Sequence, residues 1–349
     1  MTKDVLFVGS VGLNNAEEVF RTAAGILGER LPRIPDGETG NARSVWIQCQ
    51  MPFFYGNPQF EMVEPDPANP GEMRPARMPS AGLYSFTQAG RYQGRARVRP
   101  GVTEVTFDNC GYADWAQESY GTFKRLKQEG VIPPATKFQV CIPSPRATLQ
   151  LTLDRDKIGP AYYAAIGREV ERMASTIPND ELSIQWDCTE PPTYDASDAS
   201  TKQEIIDGMV RIGKYVPASV ELGYHLCYGD FEHKHGVQPK DTAAMVEMTN
   251  TIVSSVGRSV GWVHMPVPRD RSDIAYFEPL RNLKLPPETQ LYLGLVHYTD
   301  GVDGTRKRMA SADQLVSNYG IATECGFGRR PDSHDIRDLM KIHAEVANQ

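Results

Sequence analysis

No apolar run in this chain approaches the roughly 18 residues that a membrane-spanning helix needs. The opening MTKDVLFVGS moves straight into a strand-like run, without the regions of a secretory signal. Basic residues show no excess: 37 Lys and Arg stand against 44 Asp and Glu, for a net charge of −7. With the basic residues dispersed, neither a nucleic-acid footprint nor a membrane contact is expected. Cysteine is sparse as well. Cys49, Cys110, Cys141, Cys188, Cys227 and Cys325 are scattered over 349 residues, unlike the dense disulfide framework of a small secreted domain. They read as reduced thiols of a cytoplasmic protein, with some available as metal ligands.

What the chain does have is alternation. Short apolar runs ending in Gly, Pro or Asp predict strands at Val5–Ser10, Arg33–Gly37, Phe138–Ile142, Ser183–Cys188, Val220–Cys227, Val260–Met265, Leu291–His297 and Ile321–Cys325. Helical patterns lie between most of them, for example Tyr162–Ser175, Lys202–Tyr215 and Ala243–Val256. Eight strands alternating with helices predict an α/β protein, a single (β/α)8 TIM barrel over residues 1–349 rather than two domains. Residues 48–110, rich in Pro, Met and aromatics, are too long for a βα loop. This irregular insertion after strand 2 is expected to act as a lid or as the contact of a homo-oligomer.

Three of the seven histidines crowd into 224–235, YHLCYGDFEHKH. Side chains alternate faces along a strand. If Val220, Leu222, Tyr224 and Leu226 pack outward on helices, then Glu221, Gly223, His225 and Cys227 point into the barrel. His225 and Cys227 would then lie about 6–7 Å apart near the strand's C-terminal end, where barrel enzymes keep their chemistry. A metal would explain the pair, and so would a buried histidine bonded to a carbonyl. Other strand ends add Asp36 and Glu38, Gln185 and Asp187 with Cys188 and Glu190, Trp262 and His264, His297 with Thr299 and Asp300, and Glu324, Cys325, Arg329 and Arg330. A thiolate from strand eight would approach the His-x-Cys pair across the mouth, and a Cys2His set with an open position is a catalytic type of zinc site.

The motifs HLCYGDF, QWDCTEP and ECGFGR resemble the His-x-Cys-Tyr, Gln-x-Asp-Glu-Pro and Asp-Cys-Gly-x-Lys motifs of cobalamin-independent methionine synthase. The likeness is to its C-terminal catalytic barrel, in the superfamily that also contains uroporphyrinogen decarboxylase. VGSVG, DGETGNAR and KFQVCIPSP resemble further segments of it, in the same order along essentially the full chain. The resemblance implies a zinc held by His225, Cys227 and Cys325, which binds a substrate thiol as thiolate for attack on an activated alkyl carbon. It also implies that Ser10, Glu38 and Asp187 hold the thiol substrate's polar groups.

Three positions depart from the pattern. The family's fourth ligand, a glutamate, is matched by His264; its Asp-x-His after strand seven is matched by His297, Tyr298, Thr299 and Asp300; and its Asp-Glu-Pro is lengthened to Asp187–Pro191. The expectation is a zinc-dependent alkyl transferase, with methyl as the group, other than methionine synthase itself. His297 or Asp300 would be its acid or base and His264 the fourth ligand. Trp262 would line a pocket suited to a flat substrate, with a small-molecule thiol and a tetrahydrofolate-type carrier as partners. A lyase or decarboxylase of the superfamily, or a barrel that binds a ligand without turnover, are the rival expectations. His233 and His235 read as a solvated loop, with Glu232 an outside candidate for the missing carboxylate, Cys49, Cys110, Cys141 and Cys188 as packing, and His334 and His343 as surface or helix-end residues.

Overall fold

A computed structural model describes residues 2–40, 43–76, 93–231, 234–329 and 336–348, with backbone alone at 230–231, 234–235 and 329. In chain order the strands are β1 (Val5–Leu6), β2 (Arg33–Pro35), β3 (Phe60–Pro65), β4 (Met73–Pro75), β5 (Arg95–Val98), β6 (Lys137–Pro143) and β7 (Leu182–Cys188). They continue as β8 (Glu221–Leu226), β9 (Asp230–Phe231), β10 (Lys234–His235), β11 (Trp262–Pro266), β12 (Gln290–Val296) and β13 (Gly320–Thr323). Eight of these form one sheet in the order β1-β13-β12-β11-β8-β7-β6-β2, with every pairing parallel. Past the ends of β1 and β2, the Val11 N–H donates to the Gly37 carbonyl at 2.9 Å, drawing the sheet's two edges together. The result is the expected TIM barrel.

The strands read as near-continuous apolar runs because both of their faces are covered. Every residue of β7 is buried, as is every residue of β11. Around them run α1 (Ala16–Leu27), α2 (Tyr112–Gln128), α3 (Arg155–Thr176), α4 (Ala199–Tyr215), α5 (Ala243–Ser255), α6 (Gly301–Ala312) and α7 (Ile336–Ala347). α1 shows why such helices form. Asn15 caps its start by accepting from the Glu18 N–H at 2.9 Å, and Glu17 and Glu18 face the positive end of the helix dipole. Val19, Phe20, Ala23, Ala24 and Leu27 then fall on one buried face. Phe20 meets Phe123 of α2 edge-on at 5.5 Å and Phe138 of β6 at 6.2 Å. α3 begins well before the expected Tyr162, and Pro160 lies inside it.

Two readings change. The stretch after strand 2 holds a three-stranded antiparallel sheet, β4-β3-β5, and is more regular than its composition suggests. His343, expected at the surface or a helix end, is fully buried on α7. Its Nδ1–H donates to the Leu339 carbonyl at 2.8 Å, and its ring packs against Phe7 and Phe327. Among the described residues no helix is long and apolar enough to cross a membrane.

The barrel interior is layered. At the floor, Arg33 bonds both carboxylate oxygens of Glu221, at 2.9 and 3.2 Å, and the Tyr292 hydroxyl at 3.1 Å. Trp262 fills the space beside them: its indole lies 5.3 Å from the Arg33 guanidinium and 6.2 Å from the Tyr292 ring. Above, Gln139 and Gln185 bridge the barrel, donating to the carbonyls of Phe7 and Val8 at 2.8 and 2.9 Å. The mouth lies over this polar layer.

A candidate metal centre at the barrel mouth

His225 is the fifth residue of β8, and Cys227 follows the strand's last residue. The Cys227 N–H donates to the Cys188 carbonyl at 2.8 Å, so pairing with β7 continues beyond the strand and fixes the thiol's direction. Cys325 lies two residues beyond β13, where the Thr323 hydroxyl donates to the Cys325 carbonyl at 2.6 Å. All three side chains are buried, and their ligand atoms lie within 4.8 Å of one another. A tetrahedral zinc with bonds of about 2.0–2.3 Å needs ligand atoms about 3.5–3.8 Å apart, so a closing of about 1 Å would meet it. One imidazole and two thiols also suit zinc chemically, and three ligands leave a position for substrate.

His264 has another place. Paired in register with His225, it sets its Nδ1 2.7 Å from the His225 Nδ1 and its Nε2 3.0 Å from the Thr323 carbonyl. A carbonyl only accepts, so the single proton of a neutral His264 is on Nε2. Its Nδ1 must then accept from the His225 Nδ1–H, which leaves the His225 Nε2 lone pair as that ring's ligand atom. Burial keeps His264 neutral, with its pKa lowered to about 3. Expected as a fourth ligand, His264 instead ties the strand of His225 to the strand leading to Cys325. A buried partner on the far nitrogen is how ligating histidines are oriented.

The metal-type cluster opens on a small cavity lined also by Ser10, Glu38, Trp46, Asp187 and Thr189. Ser10 is seated by glycine: a Cβ at Gly326 would come within 2.3 Å of its Oγ. The Asp187 carboxylate accepts from the Gln185 amide of the layer below. Glu38 sits on a turn held by Asp36, which accepts from the Glu38 N–H at 2.9 Å, from Ser119 at 2.7 Å and from Arg43 at 2.7 and 2.9 Å. Burial works to raise the Asp36 pKa, but Arg43 holds it below the usual range. Among the described residues only Glu38 and Trp46 combine a side chain with positive φ, at 51° and 52°. Both face the cavity, and strain of this kind, about 1–3 kcal/mol each, collects at functional sites.

Not every expected residue reaches the cavity. Trp262 shares an inward face with His264 but lies on the floor and is fully buried. A Cβ on Gly223 would sit 2.0 Å from its ring, so the missing side chain there makes Trp262's room. It packs the barrel floor and is not among the residues that line the mouth cavity. Asp300 is paired with Arg308 through two bonds, at 2.7 and 2.8 Å. Burial acts to raise its pKa, yet Arg308 holds it lower than usual, which suits an ion-pair partner rather than a proton carrier. The His297 Nε2–H donates to the Val267 carbonyl at 2.8 Å, and its Nδ1 lies 3.5 Å from Glu324; neither residue is in the lining of the cavity. Trp46 and Thr189 line the cavity without having been singled out for it. No sequence signal marks a tryptophan that will take positive φ. Glu232, His233, Arg330 and His334 lie outside the described residues, as do the side chains of His235 and Arg329.

No protein-family model matches the chain, and a comparison with curated proteins finds no match. Solved structures do resemble it. The B12-independent methionine synthase of Shewanella sp. W3-18-1, solved with selenomethionine, superposes with a TM-score of 0.56 at 14% identity, covering 95% of this chain and 86% of that one. A Listeria monocytogenes protein proposed to be a vitamin-B12-independent methionine synthase gives 0.52 at 12% identity, with the same coverage. At this identity the likeness is one of fold: the chain shares its barrel with proteins of the methionine synthase type.

Proposed function

We propose that this chain is a zinc-dependent alkyl transferase, moving a methyl group to or from a small-molecule thiol. The observation that carries the reading is the meeting of one imidazole nitrogen and two thiols within 4.8 Å, beside a cavity. Zinc held by His225, Cys227 and Cys325 would supply Lewis acidity, lowering the pKa of a thiol in the open position. The chain's own residues do the rest. Asp187 and Glu38 offer carboxylates, and Ser10 a hydroxyl, to the polar end of the thiol compound. His264 keeps the His225 ring turned. A similar fold in methionine synthases supports the reaction class.

The test is proton release. A small thiol such as homocysteine or cysteine, added to zinc-loaded protein in weak buffer, should release about one proton per thiol bound. No release, with the thiol still bound, would sink the thiolate reading.

A further inference from the structure

Glu38 and Trp46 line both the mouth cavity and a second, smaller one beside it. The other walls of this neighbour include Tyr112, Trp115, Cys141 and Arg43. Tyr112 and Trp115, at the start of α2, stand edge to face with centroids 5.6 Å apart. Gly111 lets them approach: a Cβ there would fall 2.6 Å from Phe53 and 3.0 Å from the Trp115 indole. Three aromatic side chains and a carboxylate therefore enclose a space next to the site for the thiol.

Charge narrows what could enter. Arg43 contributes a cation to this wall, and it is committed to Asp36 through bonds of 2.7 and 2.9 Å. Glu38 faces both cavities, and Asp187 faces the first. Among the described side chains of these walls, carboxylates outnumber the guanidinium. The buried Cys141 thiol registers it: burial first, and then the charges of Asp187, Glu38 and Asp36, push it well above the usual thiol range. An anionic occupant would meet these carboxylates with Arg43 already neutralised.

We propose that the second cavity is the subsite for the alkyl donor, and that the donor is a small onium compound, a sulfonium or quaternary ammonium. This rests on the alkyl-transfer reading above. Aromatic faces with a nearby carboxylate bind such cations through the ring quadrupole, without asking for hydrogen bonds that an onium cannot make. Glu38 and Trp46 line both cavities, so the donor subsite adjoins the thiol's position. In the transfer, a lone pair of the acceptor thiolate forms the new S–C bond. The donor's C–S or C–N bond breaks, and its electron pair leaves on a neutral sulfide or tertiary amine. The acceptor's proton has already passed to solvent on binding, and nothing is oxidised or reduced.

The experiment titrates trimethylsulfonium, the neutral isostere tert-butanol and 5-methyltetrahydrofolate into the full chain, following tryptophan fluorescence, for wild type and Trp115→Leu. Trimethylsulfonium should saturate the wild type, bind at least about 10-fold tighter than tert-butanol, and weaken about 5- to 30-fold in Trp115→Leu. Equal binding of cation and isostere overturns the proposal. So does an unchanged sulfonium affinity in a folded Trp115→Leu, or saturation by the folate with none by the sulfonium. If that variant does not fold by circular dichroism, the wild-type ratio of cation to isostere decides alone. Zinc content and thiol proton release on the same preparations separate the two readings. Both normal, with no sulfonium bound, overturns the donor subsite alone; both absent, with sulfonium bound, overturns the metal reading and upholds the cation site.

Discussion

The floor and the mouth of the barrel are both built from buried polar side chains, and they treat them in opposite ways. At the floor, the Arg33 charge is cancelled by Glu221, and Trp262 fills the volume that Gly223 leaves. At the mouth, His225, Cys227 and Cys325 converge on the wall of a cavity that also carries two carboxylates. Burial of a polar group is therefore no mark of chemistry by itself. What distinguishes the mouth is room: its donors are aimed at a space that a substrate can enter, as expected at the C-terminal ends of barrel strands.

The comparison is broken most severely by emptying the floor. Trp262→Ala should lower the free energy of unfolding by about 3–5 kcal/mol, read from denaturant curves, while zinc per folded chain stays as in wild type. Loss of zinc from folded protein would show that floor and mouth are coupled. His264→Ala sharpens the mouth itself. An orienting residue should weaken zinc binding about 10- to 100-fold without abolishing it, as measured by competition with a chelator. Complete loss would return His264 to the ligand set.

Acid separates the two layers again. Burial acts to raise the Glu221 pKa, but Arg33 lowers it below its ordinary 4.5. With the folded value depressed, the pair's stabilisation is fully present above the unfolded value of about 4.5 and is lost as pH falls through the folded one. Glu221→Gln should flatten the fall of stability below pH 4.5, seen in melts across pH, and leave the zinc-release curve unmoved, since that follows protonation of the metal ligands. The smallest effect is expected at Cys188, on the face of β7 opposite Asp187. Cys188→Ala should cost about 1 kcal/mol of stability and no zinc; reduced zinc stoichiometry would relocate a ligand.

Much of this was legible in the sequence, for a physical reason. Strand parity alone turned His225 and Cys227 inward, and the pairing of His264 with His225 confirms that face. Parity carries no depth, however. Trp262 and His264 share a face, yet Trp262, first in β11, lies at the floor where Gly223 leaves it room, and His264, two residues on, lies nearer the mouth. Parity also cannot tell a ligand from a residue that orients one; that needed the 3.0 Å contact from His264 to the Thr323 carbonyl. Asp300 had the residue type of a catalytic acid, and only Arg308, eight residues on in α6, reveals its use. Trp46 was beyond reach, since positive φ at a bulky residue is imposed by the surrounding fold and leaves no local pattern.

The most direct measurement is zinc per chain, by elemental analysis after dialysis, in wild type, Cys227→Ser and Cys325→Ser, each checked for native circular dichroism. About one zinc is expected in the wild type and none in either folded variant. Zinc retained at full stoichiometry by both variants, or absent from wild type refolded with excess zinc, would contradict a metal centre at the barrel mouth.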